Sequence, residues 1–236
     1  MQPWRLARLA LAPLLGVSLS LGCHLIAGLD QTKDDTTSST GASCDEVPCR
    51  LVPPQCGCHS DQQCNFDSSS AGRECIPKGS TPSGSPCNDQ TCEPGSACSG
   101  STEGLAQLCR QYCSSHDQCS GGECVHKDAT DPDVRLCSQR CDLTTSEPCP
   151  PVETLCYIGG ADGEQLYTEC FQAGAGLQGD PCTTATECAP TFFCSVDHCV
   201  RWCKMGSTCP NGPCDFTLKY TGKPVILEGT QYGACP

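Results

Sequence analysis

Cysteine is the residue type in this chain with the numbers and spacing to do chemistry, at 27 of 236 residues. Thiol exchange needs a low-pKa thiolate with a resolving neighbour, usually as Cys-x-x-Cys. No two cysteines here are separated by two residues; the closest pair is Cys56-Gly57-Cys58. A tight turn in which each of these thiols bonds elsewhere explains that pair more simply than redox work. Structural zinc takes four thiolates or imidazoles. The Cys-x3-Cys and Cys-x4-Cys spacings fall within its broad range, and His59 and His198 each adjoin a cysteine. Oxidation competes with that use, so neither a metal nor a cofactor is expected. Asp128, Asp131 and Asp133 cluster in one turn, and Asp162 with Glu164 in another. Oxygen ligands of this kind suit calcium, but Asp is also an ordinary turn residue and EF-hand spacing is absent. No serine sits in a Gly-x-Ser-x-Gly elbow, and no strand–helix alternation leads into a phosphate loop. The sequence therefore predicts a protein that is not an enzyme.

What remains for the cysteines is cross-linking. Their share exceeds the ~8–10% that marks a disulfide scaffold, and aromatics are only 5%. Such a chain buries little apolar core, so stability must come from disulfides, each worth roughly 2–4 kcal/mol. That requires an oxidising compartment. The N-terminal segment supplies one: Arg5 and Arg8 precede the apolar stretch Leu9 to Leu21, 13 residues long. A membrane span needs ~20 residues, so 1–22 reads as a secretory signal. Ser20-Leu21-Gly22-Cys23 resembles the lipobox of bacterial lipoproteins, with Ser20 departing from the usual aliphatic residue. That resemblance implies cleavage between Gly22 and Cys23 and a diacylglyceryl thioether on Cys23. The alternative is a plain signal peptide cut nearby, with Cys23 free or paired. With Cys23 lipidated the remaining cysteine count is even, and no other apolar segment is long enough to anchor the chain. The formal charge of −13 argues against nucleic acid as a partner.

Residues 23–43 read as an acidic, Ser/Thr-rich tether. The rest divides by cysteine punctuation into three regions. Residues 44–75 hold Cys44, Cys49, Cys56, Cys58, Cys64 and Cys75. Residues 87–170 hold Cys87, Cys92, Cys98, Cys109, Cys113, Cys119, Cys124, Cys137, Cys141, Cys149, Cys156 and Cys170. Residues 182–235 hold Cys182, Cys188, Cys194, Cys199, Cys203, Cys209, Cys214 and Cys235. Segments 76–86 and 171–181 read as linkers. Every one of these cysteines is expected in a disulfide, with the pairing open: six cysteines alone allow 15 connectivities.

Internal repeats are visible. GSPCNDQTCEPGSAC at 84–98 matches GDPCTTATECAPTFFC at 179–194. A Cys-x3-Cys frame recurs at 109–124, 137–156 and 199–214, so that region 87–170 holds two of these repeat units. Each frame runs on into β-formers around Gly, Asp or Pro, a hairpin signal: Val125-His126 with Val134 to Leu136, Tyr157-Ile158 with Leu166 to Thr168, and Phe216 to Tyr220 with Val225 to Leu227. Asn65-Phe66 and Arg73-Glu74 form a shorter version. The fold class expected is small and disulfide-rich: tandem loop-and-β-hairpin modules, with little helix apart from the N-terminal signal segment. Inside the x3 spacer, Tyr112, Arg140 and Trp202 vary while the frame holds, which marks them as candidate partner contacts; the alternative is that these aromatics, with Phe192 and Phe193, form a mini-core.

The Gly-x-Pro-Cys-x5-Cys-x5-Cys frame, continuing into Cys-x3-Cys-x5-Cys-x4-Cys, resembles extracellular modules of the EB and Dickkopf N-terminal kind. With the lipobox-like start and Cys23 to Asp30, CHLIAGLD, the whole resembles the cysteine-rich lipoproteins of myxobacteria. The resemblance spans most of the chain but consists mainly of cysteine spacing. It implies architecture and location: an exported, non-catalytic protein held by lipid at the outer membrane or cell surface, with an extracellular protein or glycan as partner. A secreted inhibitor or effector acting through exposed loops is the alternative, and a redox or hydrolytic enzyme a remote one.

Overall fold

Short β-formers flanked by cysteines fold here as hairpins whose feet are stapled. The computed structural model describes residues 44–88, 91–100, 104–150, 154–160, 165–220 and 222–236. Strands β1 (Gln62–Asp67) and β2 (Gly72–Pro77) make the first hairpin. Strands β3 (Ser96–Ser99), β4 (Leu108–Cys113), β5 (Cys124–Lys127) and β6 (Arg135–Cys137) make an antiparallel sheet in the order β3-β4-β6-β5. Then come the hairpin β7 (Thr154–Gly159) and β8 (Tyr167–Gln172), and strands β9 (Phe192–Ser195) and β10 (His198–Lys204). Two small ribbons follow, β11 (Thr208–Cys209) with β12 (Gly212–Pro213) and β13 (Lys219–Tyr220) with β14 (Lys223–Pro224). Strands β15 (Ile226–Leu227) and β16 (Thr230–Ala234) complete a second sheet in the order β9-β10-β16-β15. Helix among the described residues amounts to single 3-10 turns at His116–Gln118 and Ala185–Glu187. The fold is thus disulfide-rich and built of tandem hairpins.

Thirteen disulfides engage every cysteine from Cys44 to Cys235. Twelve of them fall into six four-cysteine units, each paired first-to-third and second-to-fourth. Cys49–Cys64 with Cys58–Cys75 is the first unit, and Cys87–Cys98 with Cys92–Cys109 the second. Cys113–Cys124 with Cys119–Cys137 follows, then Cys141–Cys156 with Cys149–Cys170. Cys182–Cys194 with Cys188–Cys199, and Cys203–Cys214 with Cys209–Cys235, are the last two. Cys44–Cys56 stands outside the pattern. The third and fourth cysteines of a unit face each other across a hairpin, as in Cys64↔Cys75, Cys98↔Cys109, Cys156↔Cys170 and Cys194↔Cys199. An isolated two-stranded ribbon is marginal in water; a disulfide leaving each foot ties it to the loop in front.

This pairing corrects the register of the Cys-x3-Cys frame. The first cysteine of each x3 pair (Cys109, Cys137, Cys199) bonds backward and closes one unit, whereas the second (Cys113, Cys141, Cys203) bonds forward and opens the next. The frame seen in sequence straddles two units.

The units are themselves duplicated. Residues 44–137 and 141–235 each contain a hairpin, a strap and a four-stranded sheet of identical connectivity. The straps are the two segments expected to be linkers. In the first, Gly79-Ser-Thr-Pro-Ser-Gly-Ser-Pro-Cys87 aligns with Gly174-Ala-Gly-Leu-Gln-Gly-Asp-Pro-Cys182 in the second. Each makes a parallel bridge to the second cysteine of its unit, Thr81↔Cys92 and Gly176↔Cys188. Gly84 N donates to Cys109 O at 2.8 Å, as Gly179 N does to Cys199 O at 2.8 Å. A Cβ on Gly79 would lie 2.2 Å from Thr91 O, and one on Gly174 2.2 Å from Glu187 O; only glycine allows so close a backbone approach. Both segments are therefore bound parts of the fold, and the duplication divides the chain between Cys137 and Cys141 rather than at the straps. Residues 44–236 belong to one compact unit.

The two small cores correspond position by position. Cys49, Leu51, Cys64 and Tyr112 pack together in the first half; Cys141, Leu143, Cys156 and Trp202 do so in the second. The C-terminal β-formers depart from expectation in one respect: β13 pairs with β14, while Ile226 and Leu227 pair forward with β16 rather than back with 216–220.

Candidate functional site

The halves meet at a buried ionic junction. Arg110 on β4 and Glu169 on β8 are 2% and 0% exposed. Arg110 Nη2 lies 3.0 Å from Glu169 Oε1, and His126 Nε2 on β5 lies 2.6 Å from Glu169 Oε2. Glu169 also accepts from Gln139 N at 3.0 Å and Cys170 N at 2.8 Å. The guanidinium donates to Ala106 O at 3.1 Å and to Ser99 O. Burial is the largest influence on the Glu169 carboxyl and pushes its pKa up. The hydrogen bond from His126 and the charges of Arg110 and His126 together outweigh it and hold the group below the ordinary carboxylate value. Beside this cluster, the β3–β4 loop adds a strand-like arm to the edge of β8: Leu105 bridges Phe171, Ala106 N donates to Cys170 O at 3.0 Å, and Gln172 N to Gly104 O at 2.7 Å. In the second half the corresponding β9–β10 turn is only Val196 and Asp197.

Above the junction lies a groove of about 790 Å³ between the two halves. Its floor and walls come from Gln139, Arg140, the tip of the β7–β8 hairpin (Gln165 to Thr168), and the β15–β16 hairpin. Met205 and Ile226, 67% and 51% exposed, stand on its lip. Arg140 crosses the groove to pair with Glu228, its stem passing where a Cβ on Gly121 would sit. Lys204 Nζ lies 2.9 Å from Asp142 Oδ2. Burial raises the Asp142 pKa, but the Thr144 hydroxyl and the Lys204 ammonium bring it below its usual value. Burial likewise pushes the Tyr232 hydroxyl up. The groove holds four carboxylates, Glu123, Asp142, Glu147 and Glu228, against the cations Arg140 and Lys204.

Of the three spacer residues expected as partner contacts, Arg140 alone is exposed. Tyr112 and Trp202 are 2% and 3% exposed and hold equivalent core positions; the contact reading is corrected for both. The Tyr112 hydroxyl accepts from Phe66 N at 3.0 Å and donates to Asn65 Oδ1 at 3.2 Å, and burial pushes its pKa up to about 12. Trp202 stacks on Phe193 with ring centroids 3.8 Å apart. Both face inward from equivalent positions on β4 and β10, Tyr112 against Asn65 and Phe66 of β1 and Trp202 against Phe193 of β9.

The remaining candidates stay apart. Asp128 and Asp131 spend their carboxylates on their own turn, on Thr130 and Asp133. His198 contacts Val196 O and His116 pairs with Glu123. Sulfur triples such as Cys113, Cys119 and Cys137 lie within 4.8 Å of one another because each unit stacks its two disulfides. Gly22, Cys23, Asp162 and Glu164 lie outside the described residues. Sequence reasoning missed Arg110, Glu169 and the groove lip; the only hint was Glu before the last cysteine in Arg73-Glu74-Cys75 and Thr168-Glu169-Cys170.

No family model, curated protein or solved structure matches the chain. The fold itself defines the class: a disulfide-stapled protein of tandem hairpin modules, arranged as two homologous halves around a buried salt-bridged junction.

Proposed function

We propose that this is an exported, non-catalytic envelope protein, lipid-anchored through Cys23, that displays its two stapled halves for interaction at the outer membrane or cell surface. The observation carrying this reading is that disulfides within the chain use every cysteine from Cys44 to Cys235, so Cys23 has no partner left among them. A cysteine with no partner in an oxidising compartment needs another fate, and it follows Gly22 at the end of an apolar stretch, where lipoproteins carry acyl groups. Two or three acyl chains, each CH₂ contributing ~0.8 kcal/mol on burial, anchor a protein stably without a spanning helix. In the sequence, the acidic, Ser/Thr-rich segment 23–43 separates Cys23 from Cys44, the first disulfide-bonded cysteine.

The test is intact mass of the protein from membrane extracts, with thiol alkylation before and after reduction. The expected mass is that of a chain beginning at Cys23 plus acyl groups, with no alkylation until reduction. Cys23→Ser should move the protein from the membrane to the soluble fraction. An unmodified Cys23, or a Cys23→Ser protein still in the membrane, sinks the anchor.

A further inference from the structure

The duplication supplies an internal control for which exposed residues the fold requires. Met205 follows the first cysteine of its unit by two residues; the corresponding residue of the first half is Ser115. Nothing in the fold demands an apolar side chain there, yet Met205 is 67% exposed. The β15–β16 hairpin carrying Ile226 and Leu227 continues past the level at which β5 and β6 turn: Tyr232 N donates to Val225 O at 2.9 Å in the residue pair that stands where Asp128 N donates to Val134 O, and Ile226 and Leu227 pair with β16 beyond it. Arg140 belongs to the connection between the halves. Three departures from the repeated frame thus converge on one groove.

We propose that this groove binds an extended, cationic segment of another protein, with apolar side chains alternating with lysine or arginine. The inference rests on the display role above and names its contact surface. Three features select that occupant. The lip is apolar, with Met205, Ile226 and Leu227 in reach of one strand. Strand β15 is the edge of its sheet, and an exposed edge pairs with an added extended chain. The charge is unbalanced: Arg140 and Lys204 are already matched by Glu228 and Asp142, and Glu123 by His116, which leaves Glu147 in excess, in a chain of net charge −13. Such a field attracts a basic segment and repels an acidic one.

The experiment uses the full exported chain and four fluorescent nine-residue peptides: lysine alternating with leucine and valine, the same with serine for the apolar residues, the same with glutamate for lysine, and a scrambled lysine–leucine order. Binding is read by fluorescence anisotropy at 150 mM salt. The first peptide should bind, and the glutamate and serine peptides should not. The double variant Met205→Ser, Ile226→Thr, both on exposed positions, should bind it roughly tenfold more weakly, with its thermal midpoint unchanged. Amide exchange at 226–227 should slow on binding. Equal binding to the wild type and the double variant overturns the proposal, as does equal binding of the scrambled or glutamate peptide. Because the mass of Cys23 is measured independently, a groove that fails leaves the anchor standing, and an anchor that fails leaves the groove assay readable.

Discussion

Glu74 and Glu169 occupy the same position in the two halves, one residue before the last cysteine of the first hairpin, and only Glu169 is buried. The difference is what lies against them. Arg110, His126 and the 104–106 arm of the first half close over β8, and the corresponding face of β2 is open to solvent. The same local sequence thus gives an ordinary surface carboxylate once and the centre of the junction once. Glu169→Gln leaves the Arg110 guanidinium buried without its counter-charge and should cost about 3–5 kcal/mol. Glu74→Gln should leave the denaturation midpoint where it was. Chemical denaturation of the disulfide-intact proteins, side by side, checks both.

The junction also gives stability a dependence on pH. The Glu169 carboxyl is held below its ordinary value of 4.5 when folded. A depressed folded-state pKa contributes fully above the unfolded value and is lost as pH falls through the folded one. The wild type should therefore lose stability below about pH 4.5, and Glu169→Gln should show a shallower decline over that window. Parallel slopes for the two proteins would exclude this source.

Tyr112 and Trp202 share a position but not a hydrogen-bonding role. Tyr112→Phe orphans Phe66 N–H beside a buried ring and should cost ~1–3 kcal/mol. The Trp202 indole N–H has no partner among the described residues, so Trp202→Phe loses ring packing against Phe193 and no hydrogen bond. Amide exchange resolves the two cases: protection at Phe66 should fall in Tyr112→Phe, while Trp202→Phe should leave the corresponding Ile158 amide unaffected.

The duplication predicts matched responses in the straps. Gly79→Ala and Gly174→Ala each drive a Cβ into a carbonyl oxygen 2.2 Å away. Overpacking of this kind costs about 1–3 kcal/mol, and the two variants should agree closely. An Ala at either position that leaves the melting temperature unchanged would show that its strap is not clamped.

Much of this was legible in sequence because cysteine spacing and turn residues act locally. The hairpins at 62–77, 124–137 and 154–172 follow from β-formers broken by Asp, Gly and Ser. What could not be read was which cysteine of a Cys-x3-Cys pair belongs to which unit. That depends on which way each thiol faces on its strand, and spacing is silent on it. The straps were misread for a related reason. Gly, Ser and Pro signal flexibility when a segment is alone, but Gly79 and Gly174 are small because a carbonyl lies against them. The ionic junction was out of reach, since Arg110, His126 and Glu169 meet only through the packing of one half on the other. Arg140 draws notice in the sequence because it sits in a conspicuous frame; the groove it borders does not, being made by residues that break the repeat.

The four-cysteine unit has a consequence for assembly as well as for stability. Among the described residues no disulfide joins cysteines more than 26 residues apart, and the six units follow one another without interlocking. A chain emerging N-terminus first can oxidise each unit as it appears, with three pairings to choose among for four thiols, or 15 for the six of the first region, where Cys44–Cys56 interleaves with Cys49–Cys64, rather than the vast number open to all of them at once. It never has to hold an early thiol in reserve for a late one. Maturation becomes a sequence of short, independent decisions made in the order of translation.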